Sequence, residues 1–120
     1  MATSDVINWD EAMEQVGDDE EFLRELLGDL RMEIEAQLGK IDEALRAHTL
    51  TPEMYQVVAR AAHVVKGASS NLMCGQLRIA SSQLELDANQ SASRESLLGT
   101  YKELLVAMNN YRGMCDHLGV

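Results

Sequence analysis

One repeat constrains this chain more than any other feature. Leu23, Leu26, Leu27, Leu30, Ile34, Leu38, Ile41 and Leu45 recur at spacings of three and four, the interval that lines one face of an α-helix. A strand is excluded, because its apolar positions alternate at two. Most of the acidic residues of the segment fall on the opposite face, so the helix is two-sided. Such a stripe is not stable alone in water and needs other helices to cover it.

The rest of the sequence supplies them. Asn8, with Glu11 three residues later, is a cap for a short first helix that Gly17 ends. Asp18 and Glu21 have the same spacing and are expected to open the long second helix. Thr51 and Pro52 suit the N-cap and first position of a third, running to about Leu72. A turn over Met73 to Gln76, marked only by Gly75, leads to a fourth with Leu77, Ala80, Leu84 and Ala88 inward. "DANQSAS" is a loop, and Ser93 caps a last helix with the stripe Leu97, Tyr101, Leu104, Leu105, Met108, Cys115 and Leu118. With one proline and five aromatics among 120 residues, the composition is that of helices packed through Leu, Ala, Met and Val. The expected fold is all-α: an up-and-down antiparallel four-helix bundle in one domain, residues 1–120, with the short N-terminal helix packed over one end through Trp9.

Charge narrows the function. Twenty acidic against ten basic residues leave a formal net charge of -10, which repels nucleic-acid phosphates and anionic lipid. No apolar run approaches the roughly 18 residues of a membrane span, and "MATSDVINWDEAM" lacks the regions of a signal peptide. The expectation is an intracellular, soluble protein binding neither nucleic acid nor membrane. Cys74 and Cys115 lack Cys-x-x-Cys spacing and are expected as buried small apolar residues in a reducing compartment.

The stretch "AAHVVKGASSNLMCG", residues 61–75, carries the chemistry. Met54, Val58, Ala61, Val65, Ala68 and Leu72 form the apolar stripe of the third helix, which puts His63 roughly 180° from its centre and in solvent. Its neighbours on that face are Ala59 at i-4, Gly67 at i+4 and Ser70 at i+7. An ordinary solvated face carries Lys, Glu or Gln, and a mid-helix glycine costs about 1 kcal/mol relative to Ala. These small residues therefore point to close approach by a partner, with Ser69 a further hydroxyl nearer the core and expected to bond a backbone carbonyl. Lys66, one turn beyond His63, places an ammonium where it can steady the oxygens of a phosphoryl group attacked by imidazole. If the turn pivots near Cys74, His63 and Glu85 are each eleven residues from it and lie at one level, roughly 16 Å from the turn. A carboxylate there can hold Nδ1–H and leave Nε2 free to attack.

These residues resemble a known signature. "AHVVKGASSNL" is similar to that of histidine-containing phosphotransfer (HPt) domains, an Ala-His-x-x-Lys-Gly-x-Ser core followed by Asn-Leu. "DDEEFLRELLGDLRMEIEAQLGKIDEAL" looks like the family's second helix and "LRIASSQLE" like the helix after the signature, so nearly the whole chain is covered. The resemblance implies a histidine phosphocarrier: His63 is the phosphoacceptor, Lys66 and Gly67 are the signature pair, and Glu85 bonds the imidazole. It implies receiver domains of hybrid histidine kinases and response regulators as partners, Mg²⁺ held by the receiver and no cofactor on this chain, and a monomer in the cytoplasm that also enters the nucleus. No nucleotide motif is present, so the chain is expected to be a carrier and not a kinase. Many members have Gly-Ala after Asn-Leu. Here Met73 and Cys74 stand instead, with Gly75 two residues late, so a differently shaped turn is expected.

Other readings account for fewer of these residues. A non-catalytic helical adaptor could keep the docking face, but it needs neither His63 nor Lys66. A metal-dependent hydrolase would need more convergent polar groups than the chain offers. Cys115 and His117 are only two ligands, on a last turn expected to fray, and make no closed metal site.

Overall fold

The computed structural model describes residues 6–120. Residues 1–5, part of the stretch read as lacking a signal peptide, lie outside the described residues. Among the described residues there are helices and no strands: α1 Trp9–Gln15, α2 Glu20–Leu45, α3 Pro52–Asn71, α4 Gly75–Asn89 and α5 Arg94–Leu118. No helix among them is long and apolar enough to cross a membrane.

The caps explain most of the boundaries. Asn8 accepts from the Glu11 amide, Thr51 from Met54 and Ser93 from Ser96, each satisfying an amide of a first turn. One cap differs from expectation. Asp19, not Asp18, caps α2, accepting from the Phe22 amide at 3.0 Å. Gly17 and Asp18 both adopt left-handed backbone, φ 63° and 61°, to reverse the chain; aspartate tolerates that region, and the cap falls one residue later.

The α3–α4 turn also departs from expectation. The left-handed residue is Met73, φ 59°. Its amide donates to the Ser70 carbonyl and that of Cys74 to Ser69, at 3.2 and 2.9 Å, a Schellman closure. Gly75 has no positive φ and simply opens α4. Met73 is held there because its carbonyl accepts from the Asn8 amide at 2.9 Å and its side chain packs against the core. This bond also ties the start of α1 to the α3–α4 turn, with Trp9 half-buried beside it.

Consecutive long helices pack on one another, and α5 returns to α2. Cross-helix pairs give the directions. Tyr55 bonds the Ala92 carbonyl while His63 meets Glu85, so α3 and α4 run antiparallel. The Tyr101 hydroxyl donates to the Leu38 carbonyl and that of Tyr111 to Leu27, at 3.3 and 2.5 Å, so α5 and α2 do the same. The buried stripe of α2 is the expected one, joined by Gln37 and Ala44, except that Leu26 is only half-buried. On α5, Leu105 and Leu118 are half-buried while Ala107, Tyr111 and Met114 are buried. The end of α5 does not fray: Gly119 closes it in left-handed backbone, Arg24 donates to the Leu118 carbonyl, and Arg31 pairs with Asp116 at 2.9 Å. Arg94 secures the other end of the molecule by donating to the carbonyls of Leu45, the last residue of α2, and Ala47 just beyond it.

Both cysteines are buried and free. Burial pushes the Cys74 thiol up to about 12 and raises that of Cys115, so both are poor nucleophiles. Cys115 faces the core while His117 is exposed, and the two share no site.

Candidate functional site

α3 is rotated from its expected setting, and the rotation builds the site. Its buried residues are Val58, Ala61, Ala62, Val65 and Ser69, with Met54 and Ala68 only half-buried. At about 100° per residue this moves the centre of the buried face by roughly 35° towards Ala62 and Ser69. His63 therefore leans towards α4 instead of pointing straight out. Small buried residues line these two helices, Ala62 and Ser69 on α3 and Ser81 on α4. The serine hydroxyls are satisfied inside their own helices, Ser69 on the Val65 carbonyl and Ser81 on that of Leu77, both at 2.6 Å.

The imidazole of His63 is 65% exposed, with Nδ1 2.9 Å from Oε2 of Glu85. The ammonium of Lys66 lies 2.6 Å from Oε1 of the same carboxylate. Glu85 itself is only 16% exposed, so two polar side chains meet on one largely covered anion. Burial acts to raise the Glu85 carboxyl. The hydrogen bonds and charges of Lys66 and His63 outweigh it and hold the pKa below the ordinary carboxylate value. An ionised carboxylate only accepts, so Nδ1 is assigned the proton and Nε2 the lone pair.

The remaining expected residues divide. Gly67 is exposed, and a methyl group added to it would meet nothing within 4 Å. Ala59 is half-buried at the base of the imidazole. Ser70 is half-buried and donates to the Lys66 carbonyl at 2.8 Å. Ser69 is fully buried and has no place on a docking surface; the carbonyl bond expected of it is what it makes. An open groove of about 340 Å³ beside the ring adds Gln56, Arg60 and Asn89 to His63, Ala59 and Glu85. These three escaped the sequence reading, although Arg60 and Gln56 are i-3 and i-7 from His63 and on its face by helical phase alone.

No curated protein matches the sequence. The structure is similar to that of a histidine-containing phosphotransfer protein from rice, with a TM-score of 0.79 at 14% identity, over 94% of this chain and 78% of the rice chain. At that identity the likeness concerns the fold. The family assignment comes from the Hpt domain model, which matches residues 25–111, the greater part of α2 through most of α5 with the histidine, lysine and glutamate between: the chain belongs to the Hpt domain family.

Proposed function

We propose that this chain is a phosphorelay intermediate in which Nε2 of His63 takes a phosphoryl group from the aspartyl phosphate of one receiver domain and yields it to the aspartate of another. The observation that carries this reading is the Glu85 carboxylate shared between His63 Nδ1 and Lys66 Nζ. With Nδ1–H held on one side, the Nε2 lone pair is free for an incoming phosphorus. Attack forms the Nε2–P bond, breaks the O–P bond of the acyl phosphate and returns the aspartate as a carboxylate. No proton has to leave, because the ring keeps its Nδ1 proton, and the positive charge it acquires lies against Glu85. The step runs backwards equally well: an aspartate oxygen displaces a neutral imidazole.

Lys66 keeps Glu85 ionised and lends positive charge to the transfer. The exposed Gly67, with Ala59 and Ser70, clears room for the receiver, which supplies Mg²⁺ and the acceptor or donor aspartate. Partners are receiver domains of hybrid histidine kinases and response regulators, not nucleic acid or membrane. The four long helices serve as an up-and-down bundle, one functional unit over residues 1–120, acting as a monomer in the cytoplasm and entering the nucleus. The adaptor reading leaves the His63–Glu85–Lys66 arrangement without a use.

The test is label transfer from a phosphorylated receiver in the presence of magnesium. The parent should become labelled on histidine and His63→Gln should not. Equal labelling of His63→Gln would end the proposal.

A further inference from the structure

The groove beside the imidazole contains a cation that the arrangement above leaves unused. Side chains on a helix lean towards its N-terminus and cover the preceding turn. On that tendency the His63 ring is directed to the turn of Ala59 and Arg60, with which it shares a groove. The groove follows that geometry, with Ala59 under the ring, Gln56 and Arg60 along α3, and Asn89 with Glu85 along α4.

A phosphoryl group on Nε2 brings up to two negative charges to a protein of net charge -10, close to the Glu85 carboxylate. It needs a counter-charge, and Lys66 is already engaged, its ammonium 2.6 Å from Glu85 Oε1. Among the arginines, Arg24, Arg31, Arg46, Arg94 and Arg112 all hold carbonyls or carboxylates. The Arg60 guanidinium makes no hydrogen bond or ion pair with any described residue, and Arg60 is exposed one turn before His63.

We propose that Arg60 is the phosphoryl-binding cation of the phosphorylated form, its guanidinium donating to the oxygens of the group carried on His63 Nε2, with the amides of Gln56 and Asn89 on the adjoining walls of the groove. The inference rests on the phosphocarrier reading. Arginine suits the task because its planar fork bonds two phosphoryl oxygens at once and keeps its charge at any working pH. Arg60 is a positioning residue here: it holds the transferred group and takes no part in bond exchange.

The experiment phosphorylates the protein with phosphoramidate and follows the ³¹P resonance of the phosphohistidine against pH. Arg60→Ala should raise the phosphoryl titration midpoint by about half a pH unit, a roughly threefold change in proton affinity, the size expected of one exposed charge pair. Arg60→Lys should restore most of the shift, and the melting temperatures should match the parent because the Arg60 guanidinium bonds no described residue. Arg78, whose guanidinium likewise bonds no described residue, lies on α4 at the level of Ser70, about 10 Å along the helix from His63; Arg78→Ala should leave the midpoint unmoved. A midpoint in Arg60→Ala equal to the parent's, or an equal shift in Arg78→Ala, would overturn the assignment alone. A parent on which no phosphohistidine forms at His63 would overturn the phosphocarrier reading and the assignment with it.

Discussion

Gly67 separates what the fold needs from what a partner needs. It lies four residues before the end of α3, in helical backbone, and a Cβ built on it meets nothing within 4 Å. Replacing it with alanine should therefore stabilise the isolated protein by about 0.5–1 kcal/mol, the backbone-entropy difference between the two residues in a helix. For a domain of this size that is roughly 2–6 °C in melting temperature. The chain offers a control in Gly113, exposed on α5 and equally free of neighbours; Gly113→Ala should stabilise by a similar amount. The two should part in function. Gly67 is i+4 from His63, so Gly67→Gln, also a better helix former than glycine, projects a long side chain into the approach path and should slow transfer from a phosphorylated receiver at least tenfold. Gly113→Gln should not slow it. Thermal melts and single-turnover transfer on the four variants decide the matter. Gly67→Gln that is more stable and transfers at the parent rate would refute the claim that the glycine makes room for a partner, and a loss of stability in Gly67→Ala would refute the open space itself.

Two further outcomes follow from the geometry. Met73 occupies left-handed backbone that costs an ordinary residue about 1–2 kcal/mol; Met73→Gly should remove that cost, give back part of it in lost packing, and raise stability by up to about 1 kcal/mol in a denaturant titration, whereas destabilisation would mean the side-chain contacts outweigh the strain. The Glu85 carboxyl is held below its unfolded value of 4.5, so its contribution to stability is fully present above about pH 4.5 and is lost as pH falls through the lower folded value. The stability difference between the parent and Glu85→Gln should accordingly shrink as the solution is acidified below pH 4.5; a difference that persists unchanged in acid would remove the ionised carboxylate from the account.

Much of this arrangement was legible from local chemistry. Asn8, Thr51 with Pro52, and Ser93 cap helices where their side chains say they should, because capping depends on a single oxygen reaching an amide two or three residues on. The His63–Glu85 pairing was legible for a different reason: in an antiparallel helix pair, equal distance from the turn is equal height, whatever the detailed shape of the turn. Most of what escaped was decided by tertiary contact. Asp18 and Asp19 are chemically equivalent as caps, and only the reversal at Gly17 chooses between them. Nothing local marks Met73 for left-handed backbone; the bond from Asn8 and the packing of its side chain keep it there. The rotation of α3 is set by small residues, Ala62 and Ser69, which carry little hydrophobic signal yet bring α4 close. Tyr111 was open to local reading, since it continues the Met108 to Cys115 stripe at three and four and its hydroxyl finds the Leu27 carbonyl, as were Gln56 and Arg60 on the face of His63.

Two nitrogens of the His63 ring have opposite roles, and NMR can address them separately. In ¹⁵N-labelled protein phosphorylated by a receiver domain, the ³¹P–¹⁵N coupling should appear at Nε2 of His63, with Nδ1 still carrying its proton opposite Glu85. Coupling at Nδ1, or a phosphoryl group found on His48 or His117 instead, would contradict the account.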